Sequence, residues 1–192
     1  MEKKMWKIQF LSLPHILKHC KKCGKKMAFT CSEQFRINAQ RKYLDIWLIY
    51  KCINCNVTWN ATIFSRIYPQ SLDAKMLERF HRNDKVLVEQ YAMDNGFLRK
   101  NGVEVELPQY SVIGESFSPD ETVELEIKSK YFLPIKVSSL IRDTLHISQK
   151  EYSQLIIDGK IKSIPNQDLQ KCKLKNGITL IFNEESKVKP TK

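Results

Sequence analysis

Residues 20–24 read CKKCG and residues 52–56 read CINCN, and these two short segments decide how the first part of the chain folds. Each segment holds two cysteines separated by two residues, which places two thiols on one side of a tight turn. Gly24 and Asn56 follow the second cysteine of each pair, where a left-handed backbone conformation closes the turn. Together the two turns offer four sulfurs, those of Cys20, Cys23, Cys52 and Cys55.

Four thiolates at the corners of a tetrahedron are the usual ligands of a structural zinc ion. The 28 residues between Cys23 and Cys52 leave room for a β-hairpin, so the spacing predicts a zinc ribbon. The ion would have a structural role, because four thiolates leave no coordination position open for water. Three alternatives remain at this point: an iron–sulfur cluster on the same ligands, redox-active cysteine pairs, or ligation by His19 or Cys31.

Composition predicts a globular protein whose thiols stay reduced. The 192 residues are 42% hydrophobic and 28% charged, and no apolar run approaches the ~18 residues that span a bilayer. Lys7 and Gln9 interrupt the apolar N-terminus, and no small-residue cleavage site follows it. We therefore expect a cytoplasmic protein that does not contact a membrane, in which six cysteines indicate metal binding before disulfides.

The net charge of +11 is distributed unevenly along the chain. Residues 1–70 carry a balance of +10, residues 71–130 one of −4, and residues 131–192 one of +5. Two basic ends that flank an acidic middle favour a polyanionic partner, of which nucleic acid is the commonest. A solvated lysine-rich surface is the alternative interpretation.

Hydrophobic patterning predicts strands in the first third of the chain and helices after it. Alternating or β-branched stretches indicate strands over residues 35–38, 45–50 and 59–64. A helix is expected over residues 72–81, where apolar residues recur on one face.

Helix boundaries in the middle of the chain can be predicted from capping residues. Ser71 is suited to cap the helix that begins at residue 72, and Asn83 or Asp84 the helix that follows. Gly96 is placed where that second helix should end.

The last third of the chain predicts a strand, two helices and a hairpin. A strand is expected over residues 122–130, and a helix with one apolar face over residues 137–145. Ser148 and Glu151 form the S-x-x-E pattern of a capping box, and Gly159 should end the helix that it opens. We expect the hairpin at the Asn-Gly pair of residues 176–177, with residues 171–175 as its first strand.

The segment from residue 133 to 182 resembles the small RNA-binding module named after bacterial ribosomal protein S-four. Lys136 occupies the basic position that opens the first helix of that module, and residues 147–150 (ISQK) occupy its Ser-Arg position. Residues 155–161 (LIIDGKI) match its Leu-Ile-x-x-Gly-(Lys/Arg)-Val phrase, and residues 174–178 its closing turn. The resemblance covers about a quarter of the chain and implies a fold of two helices followed by strands.

RNA binding is what this resemblance implies, and four lysines are its candidate contacts. They are expected near helix N-termini and on the following strand, where cations and backbone N–H groups together suit phosphate. These candidate RNA-binding residues are Lys136, Lys150, Lys160 and Lys162. A helix–hairpin packing unit with a lysine-rich exterior is the alternative.

Most of the chain resembles an uncharacterised bacterial family, domain of unknown function 1062 (DUF1062). The resemblance rests on residues 20–24, 35–39, 44–52 and 55–60. No activity is known for the family, so the resemblance supports an architecture and not a mechanism.

The sequence as a whole predicts an α+β protein that is not an enzyme, since it contains no P-loop, dinucleotide fingerprint or hydrolase motif. RNA is the expected partner and zinc the expected cofactor, with a regulatory adaptor that docks protein partners through its zinc ribbon as the second hypothesis. The expected segments are a zinc ribbon at 1–70, a connecting helical and strand segment at 71–118, an S-four-like module at 119–186 and a disordered basic tail at 187–192.

Overall fold

The computed structural model describes residues 1–183 and has a mixed α+β fold with two five-stranded sheets. This confirms the α+β part of the predicted fold class. The strands are β1 (Glu2–Phe10), β2 (Ile16–Cys20), β3 (Lys25–Gln40), β4 (Tyr43–Cys52), β5 (Thr58–Ile67), β6 (Glu104–Val105), β7 (Tyr110–Ile113), β8 (Val123–Ser129), β9 (Ile161–Ile164) and β10 (Gly177–Phe182). The α-helices of the described residues are α1 (Ala74–His81), α2 (Lys85–Ala92), α3 (Asn95–Lys100), α4 (Val137–Leu145) and α5 (Gln149–Ile157).

The chain folds into two compact units. Leu11–Gln109 forms one, which we call the inserted unit, and Met1–Phe10 together with Tyr110–Lys192 forms the other, which we call the split unit. This division differs from the segments expected from sequence, because the first ten residues form a strand of the split unit and not the start of the cysteine-containing segment. The predicted tail at 187–192 lies outside the described residues.

The inserted unit is built on an antiparallel sheet with the strand order β5-β4-β3-β2-β6. Strand β4, which pairs with β3 on one side and β5 on the other, alternates along much of its length: Leu44, Ile46 and Leu48 are buried, whereas Tyr43 is half-buried. The strands predicted at 35–38, 45–50 and 59–64 lie within β3, β4 and β5 and are confirmed.

The helices of the inserted unit begin at aspartates. Asp84 accepts a hydrogen bond from the Leu87 N–H at 2.8 Å, which resolves the predicted choice of cap for α2. Asp94 caps α3 in the same way, so the prediction that Gly96 ends the preceding helix is wrong. Gly96 instead lies in the first turn of α3, because the helix before it already stops at Ala92.

The split unit has the strand order β7-β1-β8-β10-β9, in which β1 and β8 run parallel and the other pairs antiparallel. Val123, Leu125 and Ile127 alternate along β8 and are fully buried, as the sequence pattern predicts. Burial of apolar side chains also explains the position of β1, because Trp6 and Ile8 are buried in this core.

The predicted helices of the split unit are confirmed, together with their boundaries. The capping box is complete: Ser148 accepts from the Glu151 N–H, and the Glu151 carboxylate accepts from the Ser148 N–H. Gly159 has a φ of +67° just after α5, which is the left-handed position predicted for it.

The prediction of a strand over residues 171–175 and a hairpin at 176–177 is wrong. The only ladder contact in that stretch is one isolated bridge between Lys136 and Lys173, and β10 pairs with β8 and β9 instead. A turn at the start of the stretch replaces the strand, since the N–H of Cys172 donates to the carbonyl of Asp168 at 2.8 Å.

None of the helices within residues 1–183 is long and apolar enough to cross a membrane.

Candidate metal centre

The four cysteines lie in two turns of the same design. The first turn joins β2 to β3, and the second joins β4 to β5. In the first, the Gly24 N–H donates to the Cys20 carbonyl at 2.9 Å, and in the second the Asn56 N–H donates to the Cys52 carbonyl at 3.0 Å. Gly24 and Asn56 have φ values of +69° and +58°, which confirms that a left-handed residue closes each turn.

Pairing between β3 and β4 brings the two turns together. Phe29 lies opposite Cys52 in the sheet, and the Ile53 N–H donates to the Ala28 carbonyl at 3.1 Å just beyond the ladder. The predicted hairpin between the cysteine pairs is therefore the β3–β4 hairpin, and both turns project from the same end of the sheet.

The sulfurs form a compact group that can hold one metal ion. The ligand atoms of all four cysteines lie within 4.8 Å of one another. The sulfurs of Cys20 and Cys55 are 3.5 Å apart, and those of Cys23 and Cys52 are 3.9 Å apart. A tetrahedral ion with bonds of ~2.3 Å requires sulfur–sulfur distances of about 3.8 Å, so this donor set fits such an ion.

Protonation of the site is governed by hydrogen bonds to sulfur. Burial opposes ionisation of Cys52, but the backbone N–H groups of Cys55 and Asn54 favour its thiolate and lower the pKa of Cys52 to about 7. At Cys55 the Val57 N–H also favours the thiolate, yet burial and the three neighbouring sulfurs outweigh it and raise the pKa to about 12. The sulfurs thus share protons that a bound cation would displace.

Groups around the sulfurs complete the site. Cys20 and Cys52 are buried, whereas Cys23 and Cys55 are half-buried. The Asn54 side-chain amide donates to the Cys23 sulfur at 3.4 Å, a contact that sequence reasoning missed although Asn54 lies between the second pair of cysteines.

His19 and Cys31, the alternative ligands considered from sequence, are not part of the described cluster. Cys31 lies opposite Tyr50 in the β3–β4 ladder, and burial raises the pKa of its thiol to about 11. It is a half-buried side chain packed against the core of the inserted unit.

The four candidate RNA-binding lysines are all exposed and all belong to the split unit. Lys136 is the N-cap residue of α4, and Lys150 lies in the first turn of α5. Lys160 follows α5, and Lys162 lies on β9. The isolated bridge places Lys173 opposite Lys136, a second cation at the start of α4 that sequence analysis had assigned to a strand.

Trp59 is half-buried beside Tyr50, at a ring-centroid distance of 5.8 Å. The Lys18 ammonium lies 5.0 Å from the centre of the Trp59 ring. The Trp59 ring therefore already contacts a core side chain, Tyr50, and a cation, Lys18.

Comparison with known proteins identifies one family. A family model described as "Protein of unknown function (DUF1062)" matches residues 37–167, more than half of the chain. The matched segment contains Cys52, Cys55 and the four candidate lysines. No curated protein and no solved structure matches the chain.

Proposed function

The chain belongs to the DUF1062 family of proteins of unknown function, and from that premise we propose that it is a non-enzymatic, zinc-containing, RNA-binding protein of the cytoplasm. The ion has a structural role in this proposal, and the RNA contacts come from lysines. RNA associated with the ribosome, or transfer RNA, is the proposed class of ligand.

Zinc is the proposed ion because of the number and spacing of the donors. Four sulfurs within 4.8 Å suit a single tetrahedral ion, whereas the four cysteines of an iron–sulfur cluster are divided among two or four irons and cannot all lie this close together. The two cysteine turns and the strands around them are the arrangement expected of a zinc ribbon. Zinc would lock both hairpin turns of the inserted unit in place and would supply no reacting group.

The observation that carries RNA binding is the grouping of exposed lysines at the two helix starts of the split unit. The Lys136–Lys173 bridge sets two cations side by side at the N-terminus of α4, and Lys150 lies at that of α5. Backbone N–H groups at helix N-termini and nearby ammonium groups both favour phosphate. These helices and the strands after them are the part of the chain that resembles the S-four module.

Filter binding of ribosomal and transfer RNA over a salt series tests this proposal. Charge reversal in the variant Lys150→Glu/Lys160→Glu should weaken binding, and the slope of log K against log salt should flatten by roughly 0.7–0.9 for each phosphate that the variant no longer neutralises. The matched control is Lys75→Glu/Lys85→Glu, which changes the same charge on exposed helical positions of the inserted unit. Binding that is absent, independent of salt, or equally weakened by both variants would contradict it.

Protein docking through the zinc end is a second candidate, favoured by one observation. Ile53 lies between the ligand cysteines of the second turn and is 55% exposed. An apolar side chain held out by a rigid turn is suited to a protein interface. Protein capture that survives nuclease treatment and is abolished in Ile53→Ser, with metal content unchanged, would favour this candidate.

A further inference from the structure

A group of cations and aromatic rings lies at the end of the inserted unit that is remote from the cysteines. We call it the hairpin-end patch, and it consists of Arg41, Lys42, Tyr43, Asp45, Trp47, Arg66 and Tyr68. Tyr43 begins β4 and Cys52 ends it. At about 3.3 Å per residue, the strand puts roughly 30 Å between the patch and the metal centre.

Strand register builds the floor of the patch. Tyr43, Asp45 and Trp47 are half-buried alternate residues of β4, on the face opposite to the buried Leu44 and Ile46. Directly opposed residues of an antiparallel pair share a face, so Arg36 joins Trp47 on this surface and Asn38 joins Asp45. Gln40, Ser65 and every residue of the patch except Tyr68 line an open depression of about 990 Å³, which is large enough for a ligand.

A bulge places Arg66 over this floor. Ser65 and Arg66 together face Asp45, between the pairs Ile46–Phe64 and Leu44–Ile67. Arg66 has a φ of +52°, which is uncommon for a residue other than glycine, and its N–H donates to the Asp45 carboxylate at 2.9 Å. The carboxylate thus holds the backbone that carries this arginine.

The cations of the patch gather on two tyrosine rings. Tyr43 and Tyr68 have ring centroids 5.0 Å apart, and Tyr68 is 50% exposed. The Arg66 guanidinium carbon lies 5.0 Å from the Tyr43 ring centre, and the Lys42 ammonium lies 5.6 Å from it and 6.0 Å from that of Tyr68. Cation–π contacts keep these charges at the rim of the depression.

The charge of the patch is strongly one-sided. Residues 35–47 and 58–70, the segments that form it, contain four arginines and lysines and a single acid, Asp45. Asp45 accepts a backbone N–H and so stabilises the bulge, and its single negative charge is outnumbered by the four cations, which makes the rim basic. Basic groups around aromatic rings in one groove are the features that bind single-stranded nucleic acid, where phosphates meet cations and bases stack on rings.

We propose that the hairpin-end patch binds an unpaired segment of RNA, with a base stacked on Trp47 and the adjoining phosphates held by Arg41, Lys42 and Arg66. The proposal rests on the proposed function in that the ligand is RNA. It adds a second contact region, specific for unpaired nucleotides, in the other unit of the chain. An acidic peptide would satisfy the cations but would leave the aromatic lining unused.

Fluorescence anisotropy with labelled oligouridylate, compared with a fully paired RNA duplex, tests the proposal. The test variant is Arg41→Asn/Lys42→Gln/Arg66→Asn, in which asparagine suits the positive φ of residues 41 and 66. The matched control, Lys75→Gln/Lys85→Gln/Lys100→Gln, removes three exposed charges from helices of the same unit. We expect the test variant to bind oligouridylate about tenfold more weakly and the control less than about twofold.

Tryptophan emission reports on stacking directly. Oligouridylate should quench the fluorescence of the wild-type protein, and the quenching should disappear in Trp47→Phe but persist in Trp59→Phe. Equal affinity for the duplex, equal weakening by both triple variants, or the same Trp47 quenching with polyglutamate would overturn the proposal. Failure of the proposed function is distinguishable, because the Lys150→Glu/Lys160→Glu variant tests structured RNA on the split unit and leaves the patch unchanged.

Discussion

Removal of the proposed zinc should destabilise the inserted unit and leave the split unit unaffected, because all four cysteines of the candidate site belong to the inserted unit. An ion that binds only the folded site stabilises it by RT ln(1 + [L]/Kd), which is about 4.1 kcal/mol when free zinc exceeds Kd a thousandfold. Leu11–Gln109 contains 99 residues. At about 2.1 cal/mol/K per residue, its unfolding entropy is about 0.21 kcal/mol/K, so loss of the metal should lower its Tm by about 20 °C.

The tryptophans allow each unit to be followed separately. Trp6 lies in the split unit, whereas Trp47 and Trp59 lie in the inserted unit. The fluorescence of Trp6→Phe reports only on the inserted unit, so the melting temperature that it records should fall when a chelator is added. The fluorescence of Trp47→Phe/Trp59→Phe reports only on the split unit, and the melting temperature that it records should not change. Elemental analysis should find one zinc per chain before chelation and none after it.

Cysteine variants provide the matched comparison. Cys23→Ser removes a ligand and should reproduce the chelator effect, whereas Cys172→Ser removes a thiol outside the cluster and should retain zinc. The reasoning is refuted if the Trp6→Phe variant melts at the same temperature with and without metal. A zinc content near zero in protein purified without chelator would refute it as well.

Three further expectations concern stability. Phe80 is 1% exposed in the aromatic core of the inserted unit, so Phe80→Ala should lower the free energy of unfolding by about 3–5 kcal/mol in urea titrations; the same truncation of the 45% exposed Phe132 should cost less than about 1 kcal/mol. Ser148→Ala should cost about 1 kcal/mol through loss of the α5 capping box, and an unchanged urea midpoint would contradict this. Two hydrogen bonds, of which that from the Arg79 guanidinium has the larger effect and that from the Leu87 N–H the smaller, lower the pKa of Asp84 below its usual 3.8. The stability that the ionised Asp84 side chain contributes is therefore present above about pH 4 and is lost as the pH falls through the folded pKa. Below about pH 4, the free energy of unfolding should therefore fall less steeply with decreasing pH in Asp84→Asn than in the wild type. A slope equal to that of the wild type would argue against this role.

Local patterns predicted much of the fold. The two cysteine turns, their left-handed closing residues, the strands of the β3–β4–β5 ladder and the capping box at Ser148 all depend on residues close in sequence. A turn or a cap forms from its own few residues, so its pattern can be recognised without knowledge of the rest of the fold.

Predictions failed where distant segments compete for a partner. Residues 171–175 alternate as a strand should, but β10 finds its ladder on β8 and β9. The Gly96 prediction failed for a local reason instead: the Asp94 side chain caps a new helix, and Gly96 lies in its first turn. The hairpin-end patch could not be predicted from the sequence either, because Arg66 and Tyr68 contact Tyr43 only through the β4–β5 register and its bulge.

The sequence by itself identified the four cysteines of the candidate metal site and the α+β class, since ligand chemistry and hydrophobic periodicity are properties of short segments. Only the tertiary structure decided the division into units. It takes β1 from the start of the chain and pairs it with β7 and β8, more than a hundred residues away. The physical reason is burial: Trp6 and Ile8 need an apolar partner face, and the sheet that offers one is formed by distant strands.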